Sequence, residues 1–289
     1  MRNLKRKIQL LFTSILNILQ RGSVAINFFE EERGGILLHK NWGDDLNLYL
    51  LELVSGRNIY AANKSLLHNK FNLKNFSCIG SILGMYENEA TEVWGSGFIS
   101  DRALLRKKPA KIHSVRGKLT RELLLSQGVE CPEIYGDPAL LVSIFYKAKP
   151  IGKFKLGIIP HYVDLEIKYI LDFVKQNEDV LLIDVAHYNK WTDVCDQIVS
   201  CDFVISSSLH GLIAADSYGV PNIWVKFSDK VYGGNFKFLD YFSSVMRTET
   251  CPIYLQNINQ IQQFLEISQL PSFNTKINYD MILESCPFR

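Results

Sequence analysis

Along the chain, short runs of β-branched and aromatic residues alternate with longer stretches whose apolar positions recur at helical spacing. The clearest instance runs from Cys201 to Pro221. Phe203-Val204-Ile205 reads as a buried strand, and Ser206-Ser207-Ser208 as a turn rich in helix-capping hydroxyls. Leu209, Ile213 and Ser217 then fall on one helical face, and Gly219 ahead of Pro221 stops the helix. The same alternation predicts strands at 34–39 (GGILLH), 76–82, 91–94, 111–116 and 133–137, with helices over 46–54 and 118–126. Residues 145–155, lysine-rich with Pro150 and Gly152, read as a linker. A second set follows, with strands at 156–160, 180–185, 203–206 and 222–225 and helices over 165–176, 191–200, 209–218 and 236–242. Such alternation predicts an α/β protein with largely parallel sheets. Its natural architecture is two Rossmann-like domains, 23–148 and 149–289, facing across a cleft, with ligands beyond the carboxyl ends of the strands.

Residues 1–22 stand apart. Leu4, Ile8, Leu11, Ile15 and Leu19 share one helical face, flanked by Arg2, Lys5, Arg6 and Lys7. That is a basic amphipathic helix suited to an anionic membrane surface through residues 1–20, although packing on the protein itself or on a partner subunit explains the same spacing. The run is too short and polar for a membrane span, and Arg21 and the interrupting Gln9, Thr13, Ser14 and Asn17 argue against a cleaved signal.

Composition narrows the function classes. With 289 residues, 47% of them hydrophobic, the chain can bury a large core, and a net charge of +2 gives no overall pull toward nucleic acid. The six cysteines are scattered without C-x-x-C or Cys/His clusters, which argues against structural zinc and a disulfide framework and fits a reducing cytoplasm.

Candidate chemistry falls at the strand ends. A helix starting at Leu209 points free N–H groups and a partial positive charge into the crevice, where phosphate binds, and His210 is the titratable side chain delivered there. A capping or packing role is its plainer reading. Asn41, Gly43, Asp44 and Asp45 follow an expected strand, where glycine admits a ligand and the carboxylates can hold sugar hydroxyls; a cap plus a turn explains them as well. Gly95-Ser96-Gly97 forms a second close-approach loop, a pattern shared with many plain turns. Arg116 ends a strand before Gly117, suited to a bidentate grip on carboxylate or phosphate. Asp137 ends the last strand of the first half. His161, in IIPHY, ends the first strand of the second half and is an acid or base candidate against a purely hydrogen-bonded role. His187 is similarly placed.

These segments resemble the polysaccharide pyruvyl transferase family. The resemblance spans roughly 35–245 and rests on NWGDDLN (41–47), VWGSGF (93–98), SVRGKLTRELL (114–124), YGDPALL (135–141), IIPHY (158–162), SSSLHGLIAADSYGVPN (206–222) and FKFLDYF (236–242) in this order. It implies a two-domain fold like that of B-type glycosyltransferases, with the active site between the domains. It also implies transfer of pyruvate from phosphoenolpyruvate to a sugar of an exopolysaccharide, capsule or other cell-envelope polymer. The acceptor would be lipid-linked at the cytoplasmic face of the membrane, with no cofactor, no metal and no nucleic acid, and a homo-oligomer is compatible. Ketal formation needs a positioned acid near working pH, for which imidazolium suits, and cations for phosphate and carboxylate. The expected catalytic set is His210, His161, Arg116 and Asp45. The expected donor-binding set is Ser207, Ser208, Leu209, Gly211, Gly95, Ser96, Gly97 and Lys237. Some members carry Arg where this chain has Ser208, which shifts the phosphate grip to Arg116, the helix N-terminus, or Lys226, Lys230 or Lys237. A nucleotide-sugar glycosyltransferase and a non-catalytic sugar-binding partner are the rival readings.

Overall fold

The computed structural model describes residues 22–30, 32–33, 36–37, 41–266 and 275–289, and Ile15 alone of the preceding segment. The amphipathic face expected over residues 1–22, with its membrane contact, lies outside the described residues apart from Ile15. Among the described residues no helix is long and apolar enough to cross a membrane.

Two five-stranded sheets form the frame. The first runs Ile59–Ala61, Val24–Asn27, Asn75–Ser77, Thr91–Trp94, Lys111–Ser114, and every neighbouring pair is parallel. The second runs Ile253–Tyr254, Asn222–Lys226, Cys201–Ser206, Phe154–Ile159, Val180–Leu182, again parallel throughout. Parallel strands need crossovers, and helices such as Trp42–Ser55, Lys118–Ser126 and Leu209–Tyr218 supply them. The expected α/β class with parallel sheets is therefore present.

The expected strands at 76–82 and 180–185 are shorter, Asn75–Ser77 and Val180–Leu182, and two others differ in kind. Within GGILLH, Ile36–Leu37 pairs antiparallel with Glu32–Arg33 in a separate two-stranded ribbon. The sheet instead takes Val24–Asn27, all four residues buried, because a strand between two neighbours under helices must be covered on both faces. The expected strand at 133–137 is reduced to a single bridge between Val115 and Tyr135. Gly136 takes a φ of 137°, and Asp137 caps the turn Pro138–Leu141 through the N–H of Ala139, so the chain leaves the sheet there.

The two sheets share one apolar cluster. It joins Ile26, Trp42 and Leu46 from the first half to Val204, Leu212 and Ile213 from the second. Trp42 adds polar ties across it: its N–H donates to the Val185 carbonyl at 2.9 Å and its Nε1 to that of Trp191 at 2.6 Å. After the second sheet the chain returns to the first. Phe288 packs edge-on against Phe76 and Trp94, and Trp94 Nε1 donates to the Ile282 carbonyl at 2.9 Å. Both halves are thus fixed around the strand ends where the candidate residues lie.

Candidate active site

Two helices begin face to face. Trp42–Ser55 starts at Asn41, whose side chain does not cap the helix but donates from Nδ2 to Asp44 Oδ2 at 2.6 Å. Leu209–Tyr218 starts at Ser208, which likewise supplies no side-chain cap. Starts without side-chain caps leave first-turn N–H groups, apart from that of Trp42, which is bonded to Val185, and positive dipole ends available to an anion. The two starts meet at Gly43, where a Cβ would lie 1.9 Å from His210 Nδ1 and 2.2 Å from its Cγ. Only glycine admits the ring there, so the glycine of NWGDD and the histidine of SSSLHG form one contact.

Around this contact opens a cleft of about 290 Å³. Asn41, Asp44, Ser81, His161, Ser208, His210 and Lys237 line its polar side, and Phe29, Ile82, Met85, Ile99 and Tyr232 its apolar side. His210 is buried, with Nε2 3.8 Å from the buried Asp137 Oδ2, and neither atom has a hydrogen-bond partner among the described residues. Burial, then the Lys237 and Arg116 charges, pushes the imidazole down to about 3, so the ring is neutral. The imidazolium expected from sequence is therefore not the form this buried ring favours. Burial raises Asp137 to about 6, against the bond from the Ala139 N–H and the Arg116 charge. Lys237, buried in the cleft wall, is lowered to about 8 by burial and Arg116. Asp44 is raised to about 7 by burial and the Asp45 charge, opposed by Lys237 and the Asn41 bond. Four titratable groups thus have environments that push them far from their ordinary values, a property concentrated at functional sites.

A second layer fixes these walls. Arg116 is fully buried, and its fork is occupied by protein acceptors: Nε donates to Asp240 Oδ2 at 2.8 Å, Nη2 to the Phe98 carbonyl at 2.7 Å, and Nη1 to Ser81 Oγ at 2.5 Å. It does not line the cleft, so the expected bidentate grip on substrate is replaced by a grip on Asp240. Thr120 completes that site, donating to Asp240 from its N–H at 2.8 Å and its hydroxyl at 2.7 Å. Asp240 lies on the helix Phe236–Val245 one turn beyond Lys237, so Arg116 anchors the helix that delivers Lys237. Gly97 is the floor of this arrangement, since a Cβ there would meet the guanidinium at 2.5 Å.

Of the expected site residues, the cleft brings together His210, His161, Ser208, Leu209 and Lys237. The Gly95-Ser96-Gly97 loop lies behind it: Ser96 is fully buried, with its hydroxyl and the Gly97 N–H both donating to the Gly80 carbonyl. Ser207 accepts from the His161 N–H at 2.9 Å and donates to Asp164 at 3.3 Å, and Gly211 packs on Ser206 and Ile159. Asp45 is turned away and receives the Tyr188 hydroxyl, while its neighbour Asp44 faces the cleft. The cause is a helix that starts at Trp42, a turn earlier than the sequence pattern suggests, placing Asp44 on the same side as Asn41. Lys226 is paired with Asp229 at 2.6 Å, and His187 is exposed and bound to Asp184. Ser81, Phe29 and Tyr232 gave no sequence signal beyond their places after strands or in a glycine-containing loop.

The profile of the polysaccharide pyruvyl transferase family matches residues 93–229. Uncharacterized protein L143 of Acanthamoeba polyphaga mimivirus is 32% identical over 208 residues, 70% of each chain. Succinoglycan biosynthesis protein ExoV of Rhizobium meliloti (strain 1021) is 30% identical over 212 residues, 70% of this chain and 61% of ExoV. Residues 93–229 belong to the polysaccharide pyruvyl transferase family. The family's matched stretch holds Arg116, Asp137, His161, Ser208 and His210, whereas Asn41, Asp44 and Lys237 come from outside it. Of the seven polar residues named in the cleft lining, four (Asn41, Asp44, Ser81 and Lys237) are therefore supplied by flanking segments, and the fold rather than the matched stretch brings them in.

Proposed function

We propose that this chain transfers pyruvate from phosphoenolpyruvate to a sugar diol of a polysaccharide precursor carried on a lipid at the cytoplasmic face of the membrane, leaving a cyclic ketal and inorganic phosphate. Family membership supports pyruvyl transfer in polysaccharide biosynthesis. The observation that carries the donor is the convergence of Lys237 with two uncapped helix starts on one cleft holding a neutral His210. Phosphoenolpyruvate carries a phosphate and a carboxylate, and these are the groups that such N–H clusters and a buried ammonium recognise.

In the reaction a proton joins the methylene carbon, a sugar hydroxyl attacks C2, and the phosphate leaves with the C2–O bonding pair. A second hydroxyl then closes the ring. Neutral His210 suits the base: it takes the hydroxyl proton, and the Asp137 carboxylate behind Nε2 stabilises the imidazolium that forms. Lys237 faces the charge that grows on the departing phosphate. His161, beside Tyr162 in the wall, orients the acceptor. Thermal stabilisation by phosphoenolpyruvate, lost in Lys237→Ala, is the expected result. Stabilisation by a nucleoside diphosphate instead, with none by phosphoenolpyruvate, would favour a glycosyltransferase.

A further inference from the structure

Asp44 is the one carboxyl among the described residues that line the cleft. Its surroundings differ from those of the other buried acids near it. Asp240 is paired with Arg116, Asp45 is held by Tyr188, and Asp137 caps a turn. Asp44 receives one side-chain bond, from the neutral Asn41 amide to Oδ2, and Oδ1 has no hydrogen-bond partner among the described residues. The residue before it, Gly43, touches the His210 ring, and Asp44 and His210 both line the cleft. The groups facing Asp44 are Asp45 on its own helix, Lys237 on Phe236–Val245, Asp137 at the Pro138 turn, Tyr86 and Tyr188.

We propose that Asp44 is the catalytic acid that protonates the methylene carbon of phosphoenolpyruvate, with His210 as its complementary base. This rests on reading the cleft as a phosphoenolpyruvate site. Protonated Asp44 gives the proton on Oδ1 to C3, and electrons of the C2–C3 double bond form the new C–H bond. The first sugar hydroxyl adds to C2 and yields its proton to neutral His210. Histidinium then returns that proton to the departing phosphate, which leaves as hydrogen phosphate. The second hydroxyl bonds to C2 and passes its proton to the Asp44 carboxylate. Both groups end as they began, and the two hydroxyl protons are accounted for in the new methyl group and in the phosphate. The burial that lifts Asp44 and lowers His210 separates the pair in the direction this division requires. Bound anionic donor lifts Asp44 further, so the acid is loaded by its own substrate.

The test compares the full chain with Asp44→Asn, which keeps the shape and the Asn41 bond but has no acidic proton. Phosphoenolpyruvate is titrated calorimetrically at pH 7 in two buffers of different ionisation enthalpy, which reports protons taken up. Wild type should take up roughly half a proton more than the variant. Phosphate release with methyl glucopyranoside as diol probe should fall by about 100-fold or more in the variant, with donor affinity unchanged or tighter. Equal proton uptake in the two proteins, or retained phosphate release, overturns the proposal. An unfolded variant also overturns it, because replacing a protonated carboxyl by an amide adds no charge. Failure of wild type to bind phosphoenolpyruvate at all refutes the donor reading itself and is distinguishable from these outcomes.

Discussion

Gly43→Ala isolates the contact on which the site is built. At an ordinary helix position this change helps, because alanine exceeds glycine in helix propensity by about 1 kcal/mol. Here the new Cβ lies 1.9 Å from His210 Nδ1, and ordinary contact begins at 3.4 Å. The ring or the helix must therefore yield by about 1.5 Å, far beyond side-chain breathing in a close-packed wall. Overpacking of this kind costs about 1–3 kcal/mol, so the net result is a modest loss of stability, about 0–2 kcal/mol, rather than the usual gain. The functional effect is larger, since a displacement of about 1 Å at a reacting group costs on the order of 100-fold in rate. Thermal unfolding and phosphate release from phosphoenolpyruvate are measured for Gly43→Ala, His210→Ala and the double variant. The two shortest contacts disappear with the ring, and only the contact of 2.7 Å with the remaining His210 Cβ is left, so the double variant should recover part of the loss and be more stable than the sum of the single effects predicts. Gly43→Ala that is more stable than wild type and fully active would refute the contact.

Lys237→Met should weaken phosphoenolpyruvate binding by at least about tenfold, consistent with loss of a charge-assisted bond; in wild type, affinity measured by titration should decline as pH rises through about 8, where the buried ammonium loses its proton. Arg116→Lys retains charge but not the fork, so it should lower the melting temperature and raise KM together, by leaving Asp240 incompletely paired on a helix that carries Lys237; removing the charge in Arg116→Met should cost about 3–5 kcal/mol. Asp44 has a folded pKa of about 7, above its ordinary value of 3.8, so the folded state holds the proton more tightly and Asp44 lowers stability progressively between pH 4 and 7. Asp44→Asn should therefore raise the melting temperature at pH 8 and have little effect at pH 4, and the opposite pH dependence would contradict the assignment.

Much of the fold was legible because parallel strands under helices read as short apolar runs separated by helical spacing. Thr91–Trp94, Lys118–Ser126 and Leu209–Tyr218 lie where periodicity puts them. The strand Val24–Asn27 escaped because it is only four residues long and follows closely on the N-terminal segment that carries the helical spacing, whereas GGILLH has the composition of a strand without a place in a large sheet. At the site, the glycines and serines of the helix starts were readable, since their need for close approach is local. The side-chain directions were not. Asp44 and Asp45 are equivalent in composition, and only the true start of their helix decides which one enters the cleft. Arg116 illustrates the same limit: a strand-end arginine suits an anion, but a partner 124 positions away, Asp240, occupies its fork. The low pKa of His210 arises from burial and from Lys237 and Arg116, three features that meet only in the folded chain.

Pyruvyl transfer itself is tested most directly by incubating the full chain with phosphoenolpyruvate and lipid-linked sugars and following the acceptor by mass spectrometry while measuring inorganic phosphate. The account predicts an acceptor heavier by one ketal-linked pyruvate, one phosphate released per ketal, and loss of both products in His210→Ala and Lys237→Met. Phosphate release without acceptor gain, or an acceptor enlarged by a sugar when a nucleoside-diphosphate sugar is supplied, would contradict it.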